Sequence, residues 1–138
     1  MKARLPVKYR SDAKSKREYY VTKAIKLFAY TLYKDFGYRK ELDAIIPKVC
    51  EFVKSESSND TIKEESNVWK AKNNYDYCVR TVEQAMEWQM LVFCAYTVSF
   101  NGFGSKRLER LKNRLIEGIE NIDLMNEAEE WSKKINFI

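Results

Sequence analysis

The 138-residue sequence has no histidine, only three cysteines, four glycines and two prolines. Without histidine, the chain lacks the commonest general base and the commonest metal ligand. Cys50, Cys78 and Cys94 are widely spaced and form no CxxC pair, so they predict neither a disulfide framework nor a zinc site. The sequence also contains no P-loop, dinucleotide fingerprint or serine-based triad. We therefore expect a protein that is not an enzyme and that holds no metal ion and no cofactor.

The scarcity of turn-forming residues also restricts the fold class. A β-sandwich or barrel needs a turn roughly every 8–12 residues, and four glycines and two prolines are too few for that. No useful length of sequence alternates apolar and polar residues with period two. Apolar residues make up 45% of the chain, which is enough for the core of one domain. The sequence therefore predicts an all-α protein.

No segment has the properties of a membrane span or a signal peptide. The longest apolar stretch, residues 90–98, falls far short of the length that a membrane helix needs. The first residues lack the apolar core of a signal peptide. We expect a soluble cytoplasmic protein with no membrane partner.

The first half of the chain contains two helical patterns. Ser15 and Glu18 have the spacing of a capping box, so we expect the first helix to begin at Ser15 and to end at Gly37. Its apolar residues recur at three- and four-residue intervals: Val21, Ile25, Phe28, Leu32 and Phe36. A second pattern covers residues 42–53 and contains Pro47, which either kinks that helix or begins its second half.

The second half begins with a polar segment. Residues 55–67 have the composition of a surface loop, in which Asp60 or Thr61 could cap a short helix. A long helix is predicted from Tyr75 to about residue 100. It is apolar all round over residues 91–98, which places it at the centre of a bundle.

Two further helices follow that central helix. Ser105 is predicted to cap a helix carrying Leu108, Leu111, Leu115 and Ile119, and a last one is capped near Asp123. The last helix would pack against the core through Leu124, Ala128, Trp131 and Ile135. We expect a compact bundle of about five to six helices, with residues 1–14 as a basic arm and residues 15–138 as a single domain.

Positive charge is concentrated in two segments of this chain, whose formal net charge is +5. Such segregation favours a polyanionic partner, and we expect both segments to lie on one exposed side. The final stretch, residues 117–130, is acidic. The first basic segment contains Lys2, Arg4, Lys8, Arg10, Lys14, Lys16 and Arg17, and the second contains Lys106, Arg107, Arg110, Lys112 and Arg114.

A short repeat connects two parts of the sequence. Ala29-Tyr-Thr-Leu32 is followed by Phe36-Gly37 and Arg39-Lys40. Ala95-Tyr-Thr-Val98 is followed by Phe103-Gly104 and Lys106-Arg107. The pattern indicates a possible duplicated helical hairpin, and chance similarity is the alternative.

The sharpest local motif lies at residues 100–111. Gly102, Phe103 and Gly104 followed by Lys106 resemble the hairpin of helix-hairpin-helix DNA-binding proteins. The resemblance implies that the two glycines let the backbone approach a phosphate, with Lys106 and Arg107 adding charge. The alternative is structural, with Gly102 ending one helix and Phe103 filling the core.

The same motif and the basic N-terminus also resemble small uncharacterised proteins of phages and prophages. That resemblance implies a mobile-element origin, and with it the host cytosol, but supplies no established activity; small phage proteins of this size often act by binding. Our main hypothesis is binding of nucleic acid, or of a nucleic-acid-handling complex, through the basic arm and patch. The alternatives are an anti-CRISPR-like inhibitor of a host defence nuclease, whose acidic segment mimics phosphates, and a self-associating structural module. The sequence does not choose between DNA, RNA and protein, and a homo-oligomer is possible.

Overall fold

A computed structural model describes residues 7–56, 60–77, 79–100 and 102–134. Those residues contain six helices and no strand, which confirms the predicted all-α class. Side chains are described for residues 18–51, 64–77, 79–100 and 102–134. The helices are α1 (Val7–Phe36), α2 (Glu41–Glu56), α3 (Asp60–Lys72), α4 (Val82–Val98), α5 (Ser105–Glu120) and α6 (Ile122–Lys134).

Two helices share the centre of the bundle. α1 packs against α2, α4, α5 and α6, and α4 packs against α1, α2, α3 and α5. Leu27, Phe28, Val92 and Cys94 are all fully buried. Among the described residues, none of the helices, including the apolar α4, could span a membrane. The predicted central helix is therefore confirmed, and α1 lies beside it as a second one.

The central helix starts later than its sequence pattern predicts. Thr81 caps α4 by accepting a hydrogen bond from the N–H of Gln84, so residues 75–77 and 79–80 precede the helix as an irregular segment. Within that segment, the Tyr75 ring is fully buried between Trp69 and Trp88. The apolar character of this segment therefore reflects insertion into the core rather than helix formation. Cys78 lies outside the described residues.

α1 begins earlier than predicted. The helix is continuous from Val7, so Ser15 and Glu18 lie inside it, and the prediction of a capping box there was wrong. No glycine or proline interrupts residues 7–36, so nothing in the backbone forces a start at Ser15. The helix ends before Gly37, as expected, and Gly37 adopts the left-handed conformation at φ 69°.

Most of the segment predicted as a loop at residues 55–67 is helical: α2 continues to Glu56, and α3 begins at Asp60, where the sequence had allowed a short helix. Ser66 is fully buried, and the Trp69 ring lies 4.8 Å from the Tyr75 ring. A short helix such as α3 needs only a few buried residues to pack against the bundle. Its polar composition therefore indicates exposed side chains and not an irregular backbone.

The last two helices follow the predicted pattern with small differences at their starts. Leu108, Leu111 and Leu115 are buried as predicted, whereas Ile119 is half-buried. The cap of α5 is Gly104 rather than Ser105, which is the first helical residue. Asn121 precedes α6 and accepts a hydrogen bond from the N–H of Asp123. Leu124 and Ala128 are buried, Trp131 is half-buried, and Ile135 lies outside the described residues.

The proline of α2 neither ends nor divides that helix. Pro47 lies inside one helix, and the residues facing the core are Leu42, Ile45, Ile46 and Val49.

Candidate nucleic-acid interface

The turn between α1 and α2 meets the turn between α4 and α5 at one end of the bundle. The Phe36 ring lies 5.2 Å from the Phe103 ring, and the Tyr38 ring lies 6.0 Å from it. Gly37 and Gly102 both have positive φ, at 69° and 83°, which is the backbone conformation that glycine adopts without strain. The contact between these aromatic rings therefore brings together the residues that follow each glycine.

The α4–α5 turn has the arrangement that its sequence predicts. Phe103 is buried between the exposed residues Gly102 and Gly104. Gly104 is extended at φ −82° and caps α5, with no side chain hydrogen-bonded at the cap. The first turn of α5 therefore presents backbone N–H groups that helix geometry leaves without an internal acceptor.

Three arginines lie against the aromatic rings at this end of the bundle. The guanidinium carbon of Arg39 lies 3.9 Å from the centre of the Tyr33 ring. The corresponding distances are 4.9 Å from Arg110 to Phe36 and 5.7 Å from Arg107 to Phe103. A guanidinium over a ring is oriented by the contact, while the N–H groups at its edge stay available to an anion.

Five cations form what we call the turn surface: Arg39, Lys40, Lys106, Arg107 and Arg110. All five are exposed, and in the described part of the chain none of them makes an ion pair with a carboxylate. Arg39 donates to the carbonyls of Tyr33 and Tyr38, and Arg110 donates to the carbonyl of Asp35, all at 3.3 Å. Those bonds orient the two arginines. The Glu41 carboxylate, which accepts a hydrogen bond from the backbone N–H of Arg39 at 3.3 Å, offsets part of the Arg39 charge without forming an ion pair with its guanidinium.

Arg114, by contrast, is neutralised within the protein. Its Nε lies 2.5 Å from the Asp35 carboxylate, and its Nη1 lies 3.0 Å from Glu117. The hydrogen bond that Arg114 donates to the Asp35 carboxylate, together with the charges of both acids, raises the pKa of the Arg114 guanidinium. Lys112 donates to the carbonyl of Asn74 at 3.0 Å. These two predicted cations tie α5 to the rest of the bundle, so we leave them out of the turn surface.

The first basic segment lies farther along α1 than this surface. Arg17 and Asp35 are 18 residues apart on one helix, which places them about 27 Å apart along its axis. That the two basic segments share one exposed side stays a prediction, because the side chains of residues 8–17 are not among those described. Lys2 and Arg4 lie outside the described residues. For Lys8, Arg10, Lys14, Lys16 and Arg17 the structure describes only the helical backbone.

Two cations of the turn surface lie at a helix N-terminus, where acidic residues are usually preferred. Lys106 and Arg107 lie in the first turn of α5, which contains no acidic residue. The N-terminal end of a helix carries partial positive charge, so each cation there costs about 0.3–1 kcal/mol. A local rule broken on an exposed surface is expected where a residue serves function rather than stability.

Our site prediction omitted Arg39 and Lys40, although the repeat had placed them beside a glycine. The Thr31 and Thr97 hydroxyls occupy matching places near the ends of α1 and α4, each donating to the carbonyl four residues earlier at 2.8 and 2.9 Å. The likeness ends in the turns, since Gly37 is left-handed whereas Gly104 is extended. What the repeat did not reveal is that the two turns touch.

The acidic residues of the C-terminal segment largely contact other residues of the protein, most of them at its surface. Glu127 pairs with Lys34 at 3.2 Å and accepts from the Tyr30 hydroxyl at 3.0 Å. Glu129 pairs with Lys26 at 3.1 Å. The remaining contacts are Glu117 with Arg114, Glu120 with Tyr77, and Glu130 with Lys133. Glu120, Glu127 and Glu129 therefore fasten α5 and α6 to neighbouring parts of the bundle, whereas Glu117 and Glu130 pair within their own helices.

Comparison of the chain with protein-family models, curated proteins and solved structures gives no match in any of the three. What the protein does is therefore argued from the turn surface itself.

Proposed function

We propose that this protein acts by binding nucleic acid, with the turn surface in contact with the sugar–phosphate backbone. The observation that carries the proposal is the contact between the two turns: Phe36 packs against Phe103, and Arg39, Arg107 and Arg110 lie over aromatic rings at this end of the bundle. Among the described residues, neither these arginines nor the exposed Lys40 and Lys106 have an ion pair with a carboxylate. A polyanion supplies the charge that this surface lacks.

The chemistry of the surface suits phosphate groups in particular. Arginine presents a planar set of N–H donors that matches two phosphate oxygens, and the aromatic contacts hold that plane in place. The exposed glycine-rich turn lets a backbone approach the N–H groups at the start of α5. Such contacts fix the position of a nucleic acid without selecting its sequence. We expect binding with little sequence preference.

Mimicry of nucleic acid by the acidic segment has less support. A phosphate mimic must present unpaired carboxylates to its target, whereas Glu127 and Glu129 are bound to lysines of α1. An inhibitor of a nuclease would then have to use another face. The phage resemblance is compatible with binding of nucleic acid and assigns no activity.

Salt dependence of binding tests the proposal. Each cation that neutralises a phosphate of duplex DNA contributes about −0.9 to the slope of log K against log salt. Lys106→Glu with Arg107→Glu removes two of the five exposed cations, so we expect affinity to fall at least tenfold and the slope to become smaller by about 2. Fluorescence anisotropy with a labelled oligonucleotide measures both quantities.

The matched control reverses the charge of two cations that lie far from the turn surface. Arg80 and Lys134 are exposed and have no ion pair among the described residues. Arg80 precedes α4, whose 17 residues place it about 24 Å or more from the turn surface along that helix. Lys134 ends α6, five residues beyond Glu129, which pairs with Lys26 in α1 and not with the turns. Arg80→Glu with Lys134→Glu changes the net charge by the same amount. If both double variants weaken binding equally, the protein binds through its overall charge and the proposal is wrong.

A further inference from the structure

We infer that the ligand of the turn surface is single-stranded nucleic acid, with an unpaired base stacked on the Phe100 ring. This inference rests on the proposed function and specifies its ligand. The base that stacks on Phe100 belongs to the same strand whose phosphates contact Lys106 and Arg107.

Phe100 differs from the other phenylalanines whose side chains are described. Phe28, Phe93 and Phe103 are buried and Phe36 is half-buried, whereas Phe100 is 73% exposed. It lies in the α4–α5 turn, two residues before Gly102 and six before Lys106. One of the two phenylalanines of the glycine-rich turn thus faces solvent, within a few residues in sequence of the cations at the start of α5.

The exposed ring is held in a defined position. Its centre lies 5.2 Å from that of the Tyr96 ring in an edge-to-face contact, and its backbone N–H donates to the Thr97 carbonyl. Tyr96 is fixed in turn by a hydrogen bond to Glu65 at 3.3 Å and by an edge contact with the Trp69 ring at 5.8 Å. An aromatic ring fixed in this way loses little conformational freedom when a base stacks on its open face.

Charge and stacking together favour a single strand over a duplex. The bases of a duplex are stacked on each other, and opening a step for an aromatic side chain costs a few kcal/mol. An unpaired base offers its π-face at no such cost, while its phosphates are drawn to the neighbouring cations. An aromatic ring among basic residues is the usual arrangement for single strands. A duplex would contact the cations without stacking a base on Phe100.

Binding of a short oligo(dT) strand, a blunt duplex of equal length and poly-glutamate tests the inference. We expect Phe100→Ala to weaken binding of the single strand by roughly 5- to 100-fold. Its affinity for the duplex and for poly-glutamate, which has no bases, should change less than twofold. Val82→Ala is the matched control, because Val82 is also 73% exposed and lies at the opposite end of α4.

The outcomes separate this inference from the proposed function. Selective loss of single-strand binding in Phe100→Ala, with Phe100→Trp binding as wild type does, supports it. If the wild type binds strand and duplex equally and Phe100→Ala changes neither affinity, the single-strand inference is overturned and the phosphate-binding proposal stands. If the wild type binds poly-glutamate as tightly as DNA, the ligand is an acidic protein and both are overturned.

Discussion

The ring of Phe36, the last residue of α1, packs 5.2 Å from the ring of Phe103 in the turn before α5. The two residues are distant in sequence and belong to different helical hairpins. Their contact, with Tyr38 beside it, joins the two turns that carry the exposed cations. Removing it should therefore affect both the stability of the bundle and the geometry of the turn surface.

Phe103→Ala removes the buried ring that joins the turns. Phe103 is only 6% exposed, so we expect the free energy of unfolding to fall by about 3–5 kcal/mol, as for other large-to-small core changes. Urea denaturation measures the loss. Phe103→Leu keeps most of the volume and should cost less than about 1.5 kcal/mol. Equal stability of Phe103→Ala and wild type would show that the ring does not anchor the turn.

Lys106→Glu with Arg107→Glu should stabilise the fold while weakening binding. Glutamates in the first turn of α5 complement the helix dipole, and Glu at position 106 gains an attractive spacing of four residues to Arg110. We expect the double variant to be more stable by about 1 kcal/mol at low salt, measured as a rise in Tm. A lower Tm would indicate that these cations serve the fold instead.

Alkaline pH should destabilise the protein through Tyr75. Burial raises the pKa of the Tyr75 hydroxyl, which donates a hydrogen bond to the Leu108 carbonyl. The unfolded chain therefore ionises first, and the stability from this group is complete below pH about 10 and decreases above it, by at most about 1.4 kcal/mol per pH unit.

Tyr75→Phe isolates this contribution. It should cost about 1–2 kcal/mol at neutral pH through loss of the hydrogen bond, and its stability should decrease less steeply than that of wild type above pH about 10. Urea unfolding at several alkaline pH values measures both effects. Parallel stability curves for the two proteins would mean that Tyr75 is not protected from ionisation.

Gly118→Ala should destabilise the packing between α1 and α5. A methyl group at Gly118 would lie 2.6 and 2.7 Å from the two Cδ atoms of Leu27, which is fully buried. The strain, typically about 1–3 kcal/mol, outweighs the gain in helix propensity of about 1 kcal/mol. Calorimetry should show a lower Tm. The penalty should shrink in a Leu27→Val background, which lacks those atoms; an unchanged penalty there would place the strain elsewhere.

Periodicity predicted the parts of the fold in which one helical face meets the core. Leu108, Leu111 and Leu115 are buried as the spacing of α5 indicates. The same spacing places Val82 on the apolar side of the predicted central helix, and this was wrong, because Val82 is 73% exposed. A helix that is apolar on several sides carries no periodic signal of which side packs. The buried face is set by neighbours, and these are not local in sequence.

The candidate site was predictable only in part for a similar reason. Lys106, Arg107 and Arg110 stand out beside a glycine-rich motif, and the structure leaves them exposed. Nothing local marks Arg114 as paired with Asp35 rather than free, because its partner is on another helix. The approach of the α1–α2 turn to the start of α5 likewise depends on the contact between Phe36 and Phe103, which are distant in sequence.

The central claim is that the two turns together form one nucleic-acid contact. Titration of the ¹⁵N-labelled protein with a short oligonucleotide tests it most directly, by following each backbone amide signal in NMR spectra. We predict that the amides of residues 37–40 and 102–107 shift together and with the same apparent Kd. Shifts confined to residues 8–17, with both turns unchanged, would contradict it.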